Sequence, residues 1–153
     1  MQDHSRFSAW IEEQGHALEV RRFPQGTRTA EDAARAIGCE VGQIVKSLVF
    51  TAAGQPVVAL VSGANRVDPG KLAAVAGGPV LKADAETARQ ATGYAIGGVP
   101  PFGHASALRV FMDRELEGYD VVWAAAGRPD SVFPIAPARL VELAGARVEE
   151  LAE

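Results

Sequence analysis

Cysteine is nearly absent from this chain. Cys39 is the only one among 153 residues, which rules out an internal disulfide and any metal site built from several thiolates. Long apolar runs are missing as well. Stretches such as Leu48–Phe50 and Val57–Val61 fall far short of the roughly 20 residues that span a bilayer, so no membrane is expected as a partner. No block of like charge is long enough to mark a disordered tail. Met1–Arg6 is polar with no apolar stretch behind it, so no signal peptide is expected and a cytoplasmic location is. What remains is ordinary globular material, 48% hydrophobic and 22% charged. The length suits a single domain over 1–153, able to bury roughly 70% of its unfolded surface without disulfides or metals.

Fifteen Lys and Arg against nineteen Asp and Glu leave a net charge of −4. Phosphate binding depends on clustered positive charge, so a general nucleic-acid coat is excluded. There is no recognition-helix signature and no basic stripe, so DNA is not an expected partner. Contact with a few nucleotides in a local pocket stays compatible with this balance.

The chain reads as interspersed helices and strands without repeats. Ser5–Gln14 places Phe7, Trp10 and Ile11 on one helical face, and Leu18–Phe23 alternates like a strand. Thr29-Ala-Glu-Asp32 resembles a capping box opening a second helix, stopped by Gly38. Ile44–Thr51 and Pro56–Ser62, joined by Ala52-Ala-Gly-Gln55, form a strong hairpin signal. Asp68-Pro69 starts a helix with Leu72 and Val75 inward. Val80–Ala83 is a short strand, and Asp84 caps a helix to Thr92. Strands recur at Leu108–Met112, Val121–Ala125 and Val132–Ile135, and a last helix begins near Pro137. The expectation is an α+β fold, a mixed and largely antiparallel sheet packed with short helices.

Two features break their local pattern. Lys46 sits in Ile44–Phe50, a strand apolar on both faces. It either finds an anion or a hydrogen-bond partner, because an unpaired buried charge is costly, or it lies at the strand's entrance and snorkels outward. The segment Gly97-Gly-Val-Pro-Pro-Phe-Gly-His104 cannot be regular helix or strand. Its glycines allow close approach of another molecule, its prolines stiffen it, and its remaining N–H groups can meet a carbonyl or an anion. A lone Gly/Pro loop is nonetheless more often a tight surface connection.

Other chemistry is thin. Cys39 has His4, His16 and His104 in the same chain, but nothing marks a nucleophile pair, and a small buried thiol is the simpler reading. No metal-ligand spacing, phosphate loop or Gly-x-Ser-x-Gly elbow occurs, so neither metal nor cofactor is expected. Arg109, Asp113 and Arg128 have no assigned role.

In order along the chain come Gly42-Gln-Ile-Val-Lys46-Ser47-Leu-Val-Phe50, Val61-Ser62-Gly63, Asp68-Pro-Gly-Lys71-Leu72, Gly97-Gly-Val-Pro-Pro101, Ala126-Gly127 and Pro137–Leu140. Together these resemble the YbaK/EbsC family of aminoacyl-tRNA deacylases. That family includes the ProX group, free-standing relatives of the editing (INS) domain of bacterial prolyl-tRNA synthetase. The likeness runs from about Ala17 to Leu151, and 153 residues are about what one such editing domain requires. It implies that Lys46, Gly97, Gly98 and Pro101 form the catalytic set. It also implies substrate contacts from Ser47, Ser62, Gly63, Val99, Phe102 and Gly127.

The implied activity is trans-editing: hydrolysis of the ester of a mischarged aminoacyl-tRNA carrying a small non-cognate amino acid, on tRNA for proline or a similar tRNA. The implied partners are the aminoacyl-tRNA acceptor end and prolyl-tRNA synthetase. Cysteine-directed members carry a serine two residues before the glycine matched by Gly127 and an aspartate five after it. Here those positions are Ala125 and Val132, which favours a different non-cognate substrate. The absence of an evident general base leaves a second reading, a non-catalytic module that binds tRNA ends or a synthetase.

Overall fold

The computed structural model describes residues 3–15, 18–24 and 29–153, with side chains from Phe7 onward. Capping chemistry sets the helices. Helix α1 spans Asp3–Gln14. Helix α2, Ala30–Ile37, starts where Thr29 Oγ1 accepts from the Asp32 N–H at 3.0 Å. Helix α3, Pro69–Ala76, starts where one Asp68 carboxylate oxygen takes the N–H groups of Gly70 and Lys71. Helix α4, Ala85–Thr92, has Asp84 in the same role toward Thr87 at 2.8 Å. Helix α5 is Pro137–Ala144, with proline in its first turn. In α2 to α5 a side-chain oxygen, or a proline that needs no partner, relieves otherwise orphaned donors.

The strands are β1 (Arg21–Arg22), β2 (Val45–Ala52), β3 (Gln55–Ser62), β4 (Val80–Lys82), β5 (Arg109–Asp113), β6 (Val122–Ala125), β7 (Ser131–Ile135) and β8 (Arg147–Glu149). β2 and β3 make the expected hairpin, in register from Val45↔Ser62 to Ala52↔Gln55. Ala53 and Gly54 turn it with φ of 50° and 84°, the left-handed pair that a two-residue hairpin turn requires. The fold is α+β with mixed, largely antiparallel pairing. Antiparallel β4–β2 and β2–β3 pairs join parallel β3–β5 and β5–β8 pairs in the order β4-β2-β3-β5-β8.

One expectation is corrected here: there is not one sheet but two. β1, β7 and β6 form a separate antiparallel sheet, linked to the first by an isolated bridge between Ile44 and Trp123. The expected strand Leu18–Phe23 shrinks to two paired residues. Continuing its register beyond Val132 would bring Glu19 opposite Pro134, which has no N–H to extend a ladder. Strand β8 and the 3₁₀ turns Val41–Gln43 and Arg114–Gly118 are additions the sequence pattern did not signal.

The core forms around β3, whose residues from Val57 to Ser62 are all buried. On one side Phe7, Phe102 and Phe133 pack ring to ring, with centroids 5.3–5.7 Å apart, among Tyr94, Met112, Leu116 and Leu140. On the other, Leu72 of α3 meets Phe50, Val61 and Phe111. A third cluster brings Ala33 and Ala34 of α2 onto Ile44, Trp123 and Val132. This last contact forms one side of the site.

Candidate active site

β4 pairs with β2 only over Phe50–Ala52, and the second sheet bridges the chain at Ile44, just before β2 begins. Between those points one edge of β2 has no strand partner among the described residues, and the gap opens as a cleft of about 420 Å³. Every residue from Ile44 to Val49 lines it. A strand normally shows alternate side chains to alternate faces, but an open edge is reachable from both. The cleft is completed by the start of α2, the β6–β7 hairpin, Ala83 and Ala88 near α4, and the segment Ile96–Val99.

Backbone parity identifies what the edge offers. The Ile44 carbonyl accepts from the Gly63 N–H at 2.6 Å on the β3 side, and the Val49 carbonyl accepts from the Ala83 N–H at 3.1 Å on the opposite side. Alternation along the ladder therefore turns the N–H and C=O of Ser47 toward the unpaired edge. The Ser47 side chain adds to this. Its Oγ is buried and has no hydrogen-bond partner among the described residues, a condition that native interiors rarely tolerate without a ligand or water.

Lys46 neither stays unpartnered nor simply snorkels. It is half-buried in the cleft wall, and its Nζ donates to the backbone carbonyl of Asn65. Asn65 is itself held, its Nδ2 donating to Glu115 Oε1 at 2.9 Å. Burial pulls the Lys46 ammonium below the ordinary lysine range; the Glu31 carboxylate opposes this, and the positive charges of Arg66 and Lys82 reinforce it. Lys46 and Lys82 thus share the cleft lining with a single carboxylate, Glu31, and Arg66 adds a further positive charge near Lys46.

The glycine-proline segment lines the same cleft as Lys46. Gly97 and Val99 line it, and neither of their N–H groups bonds to the protein among the described residues. Gly97 has φ of +98°, a conformation that disfavours any other residue. The Gly98 N–H is already used, donating to the Ala95 carbonyl at 3.0 Å.

The ten residues singled out in the sequence therefore separate. Lys46, Ser47, Gly63, Gly97 and Val99 line the cleft; Gly98, Pro101, Ser62, Phe102 and Gly127 do not. Ser62 Oγ donates to the Gly42 carbonyl at 2.8 Å and accepts from the Ala64 N–H, so it braces a turn. Phe102 is 3% exposed within the aromatic core. Gly127, with φ of +98°, shapes the β6–β7 turn. Sequence reading alone did not find Glu31, Lys82, Ile96 and Trp123 in the lining. Ala125 and Val132, marked only as departures from a family pattern, both line it and make that wall apolar. Cys39 is partly buried, with its Sγ donating to the Glu40 carbonyl, and His16 lies outside the described residues. Among the described residues no group of three or more His, Cys, Asp or Glu is placed to hold a metal ion, and no helix is long and apolar enough to cross a membrane.

Known proteins resemble this chain in sequence and fold. A family model described as an aminoacyl-tRNA editing domain matches residues 24–143. The chain is 30% identical over 145 residues to YwhH of Bacillus subtilis (strain 168), a protein described as uncharacterized, covering 94% of this chain and 90% of that one. It is 37% identical over 99 residues to the proline–tRNA ligase of Nitratidesulfovibrio vulgaris (strain DP4), covering 64% of this chain and 17% of the ligase. The ligase match thus concerns one part of a much longer enzyme. A solved structure reported as a candidate trans-editing enzyme for prolyl-tRNA synthetase superposes with a TM-score of 0.93 at 47% identity, over 99% of this chain and 97% of the other.

Proposed function

The chain belongs to the aminoacyl-tRNA editing family, and from that premise we propose that it is a trans-editing deacylase. Its reaction is hydrolysis of the ester joining a small non-cognate amino acid to the 3′-terminal ribose of tRNA for proline or a similar tRNA. The observation that carries this reading is that Lys46 and the residues Gly97 and Val99, whose N–H groups have no partner among the described residues, line one and the same cleft.

An aminoacyl ester is already activated, so catalysis consists mainly of positioning a water and stabilising the oxyanion that forms as it attacks. Water adds to the ester carbonyl carbon, the bond to the ribose oxygen breaks, and the free amino acid and the uncharged tRNA end leave. In this scheme the Gly97 and Val99 N–H groups receive the developing oxyanion. Lys46 anchors a ribose or phosphate oxygen of the terminal nucleotide and balances the transition-state charge. Ser47 holds the amino acid through its edge backbone groups and its unpartnered hydroxyl. The neighbouring ribose hydroxyl of the substrate assists the water, which fits a cleft lined, among the described residues, by no histidine or aspartate.

The cleft walls supply the selectivity. Ala125, Val132, Val99 and Trp123 present apolar surface suited to a small aliphatic side chain. Editing in a second pocket is the expected remedy where a synthetase cannot reject an amino acid of similar size. Lys82 at the cleft and Arg66 near Lys46 place positive charge where terminal phosphates approach, so the negative net charge is no obstacle to contact with the acceptor end. The rest of the tRNA is bound weakly by this domain or presented by prolyl-tRNA synthetase. A panel of tRNAs mischarged with alanine, serine, cysteine, threonine and valine tests the assignment. Release of one or more small amino acids supports it; tight binding without any release favours a tRNA-end binding module instead.

A further inference from the structure

An oxyanion-binding loop needs its carbonyls fixed as much as its N–H groups free. The segment Gly97–Gly103 has little means of fixing itself, because Pro100 and Pro101 carry no N–H and the Gly98 N–H is taken by Ala95. Pro100 is buried, so its carbonyl requires a donor from outside the loop. His104 supplies it: Nε2 lies 2.7 Å from the Pro100 oxygen. A carbonyl only accepts, so the imidazole carries a proton on Nε2. At the other end Tyr94 Oη donates to the Gly103 carbonyl at 3.3 Å, and Phe102 between them is anchored against Phe7 and Trp10.

We infer that His104 is a positioning residue for the deacylation: through the Pro100 carbonyl it sets the direction of the Val99 and Gly97 N–H groups toward the cleft. His104 does not line the cleft, so it is not placed to take a proton from the attacking water. Burial lowers its pKa, opposed by the bond to Pro100, so the ring is neutral at pH 7 with the Nε2 proton committed to that bond. The consequence for rate rests on the editing reading above; the effect on the loop does not.

Glutamine is the discriminating replacement, because its Nε2–H₂ lies the same number of bonds from Cβ as the imidazole Nε2 and cannot act as a base at neutral pH. Asparagine reaches one bond less far. In single-turnover assays, His104→Leu and His104→Asn are expected to lower the rate constant about tenfold or more, the scale of one lost hydrogen bond or a small misplacement, with the half-saturating tRNA concentration little changed. His104→Gln is expected within about threefold of wild type, with the same pH profile. ¹⁵N–¹H spectra of the same variants read the Gly97 and Val99 amide shifts directly: both are expected to move in His104→Leu and to return toward wild type in His104→Gln. A His104→Gln variant as slow as His104→Leu, or unmoved amide shifts in a folded His104→Leu, overturns the inference. If wild type releases no amino acid from any tRNA while the amide shifts behave as expected, the editing reading fails and only the orienting effect of His104 on the loop stands.

Discussion

Gly98 lies so close to Arg128 that a Cβ on the glycine would sit 2.9 Å from the N, Cα and C atoms of that residue. The glycine-proline segment and the β6–β7 turn thus meet backbone to backbone. Neither side of this contact can yield by rotating a side chain. Gly98 therefore acts on the site without lining it, by holding Gly97 and Val99 at their distance from Lys46.

Gly98→Ala is expected to push this segment away from Arg128 and open the cleft. Deacylation should fall at least tenfold, a modest outcome for a misplacement approaching 1 Å, while thermal unfolding shows a protein that is still folded. Circular dichroism with single-turnover deacylation checks both halves.

Lys46 sets the alkaline behaviour. Burial lowers its pKa from the ordinary lysine value, and the scheme needs the ammonium form. After subtraction of the hydroxide-driven background measured with Lys46→Ala, the rate should decline with rising pH earlier than an ordinary lysine would impose. Stability follows with the opposite sign. The unfolded chain binds this proton more tightly than the folded one, so between the folded and unfolded pKa values unfolding free energy should rise with pH in wild type relative to Lys46→Met. Chemical denaturation across that alkaline window measures the difference.

The apolar wall predicts a steric order. Ala125→Leu adds volume inside the cleft beside Val132, so it should reduce kcat/KM for the larger amino acids of the panel first and for alanine least. Each lost methylene-sized space corresponds to roughly 10-fold or more in discrimination. An unchanged order of substrates would show that the amino-acid side chain lies elsewhere.

Asp113 is 1% exposed and accepts the N–H groups of Leu151 and Ala152 at 2.7 and 3.1 Å, with Glu115 N–H at 3.3 Å. It fastens the C-terminal segment, whose Leu151 carbonyl in turn takes the Asp68 N–H. Asp113→Ala leaves buried donors without an acceptor and should cost about 3 kcal/mol of stability. Asp113→Asn keeps an acceptor oxygen and should cost less. Urea unfolding of the two variants separates them.

Much of the fold is legible in the sequence because its signals are local. Thr29, Asp68 and Asp84 announce helix starts by side-chain chemistry, and Ala53-Gly54 between two β-branched runs announces the hairpin. The division into two sheets is not local. It depends on β4 stopping at Lys82 and on Trp123 reaching Ile44, pairings between segments far apart in the chain. The cleft is that division, which is why Lys46 stands out as a charge in an apolar strand while Trp123, Lys82 and Glu31 carry no mark of their place in the lining. Phe102 shows the converse. It sits within a loop that faces the cleft, yet its own side chain belongs to the core, and only the packing around Phe7 and Phe133 decides that.

The central claim is that Lys46 and the Gly97–Val99 segment form one hydrolytic site. Single-turnover deacylation of alanyl-tRNA for proline by wild type, Lys46→Ala and Lys46→Arg measures it most directly. Wild type is expected to release alanine, Lys46→Ala to fall at least 100-fold, and Lys46→Arg, which keeps the charge but not the compact ammonium, to retain partial activity. Wild-type and Lys46→Ala proteins that release alanine at the same rate above background would contradict it.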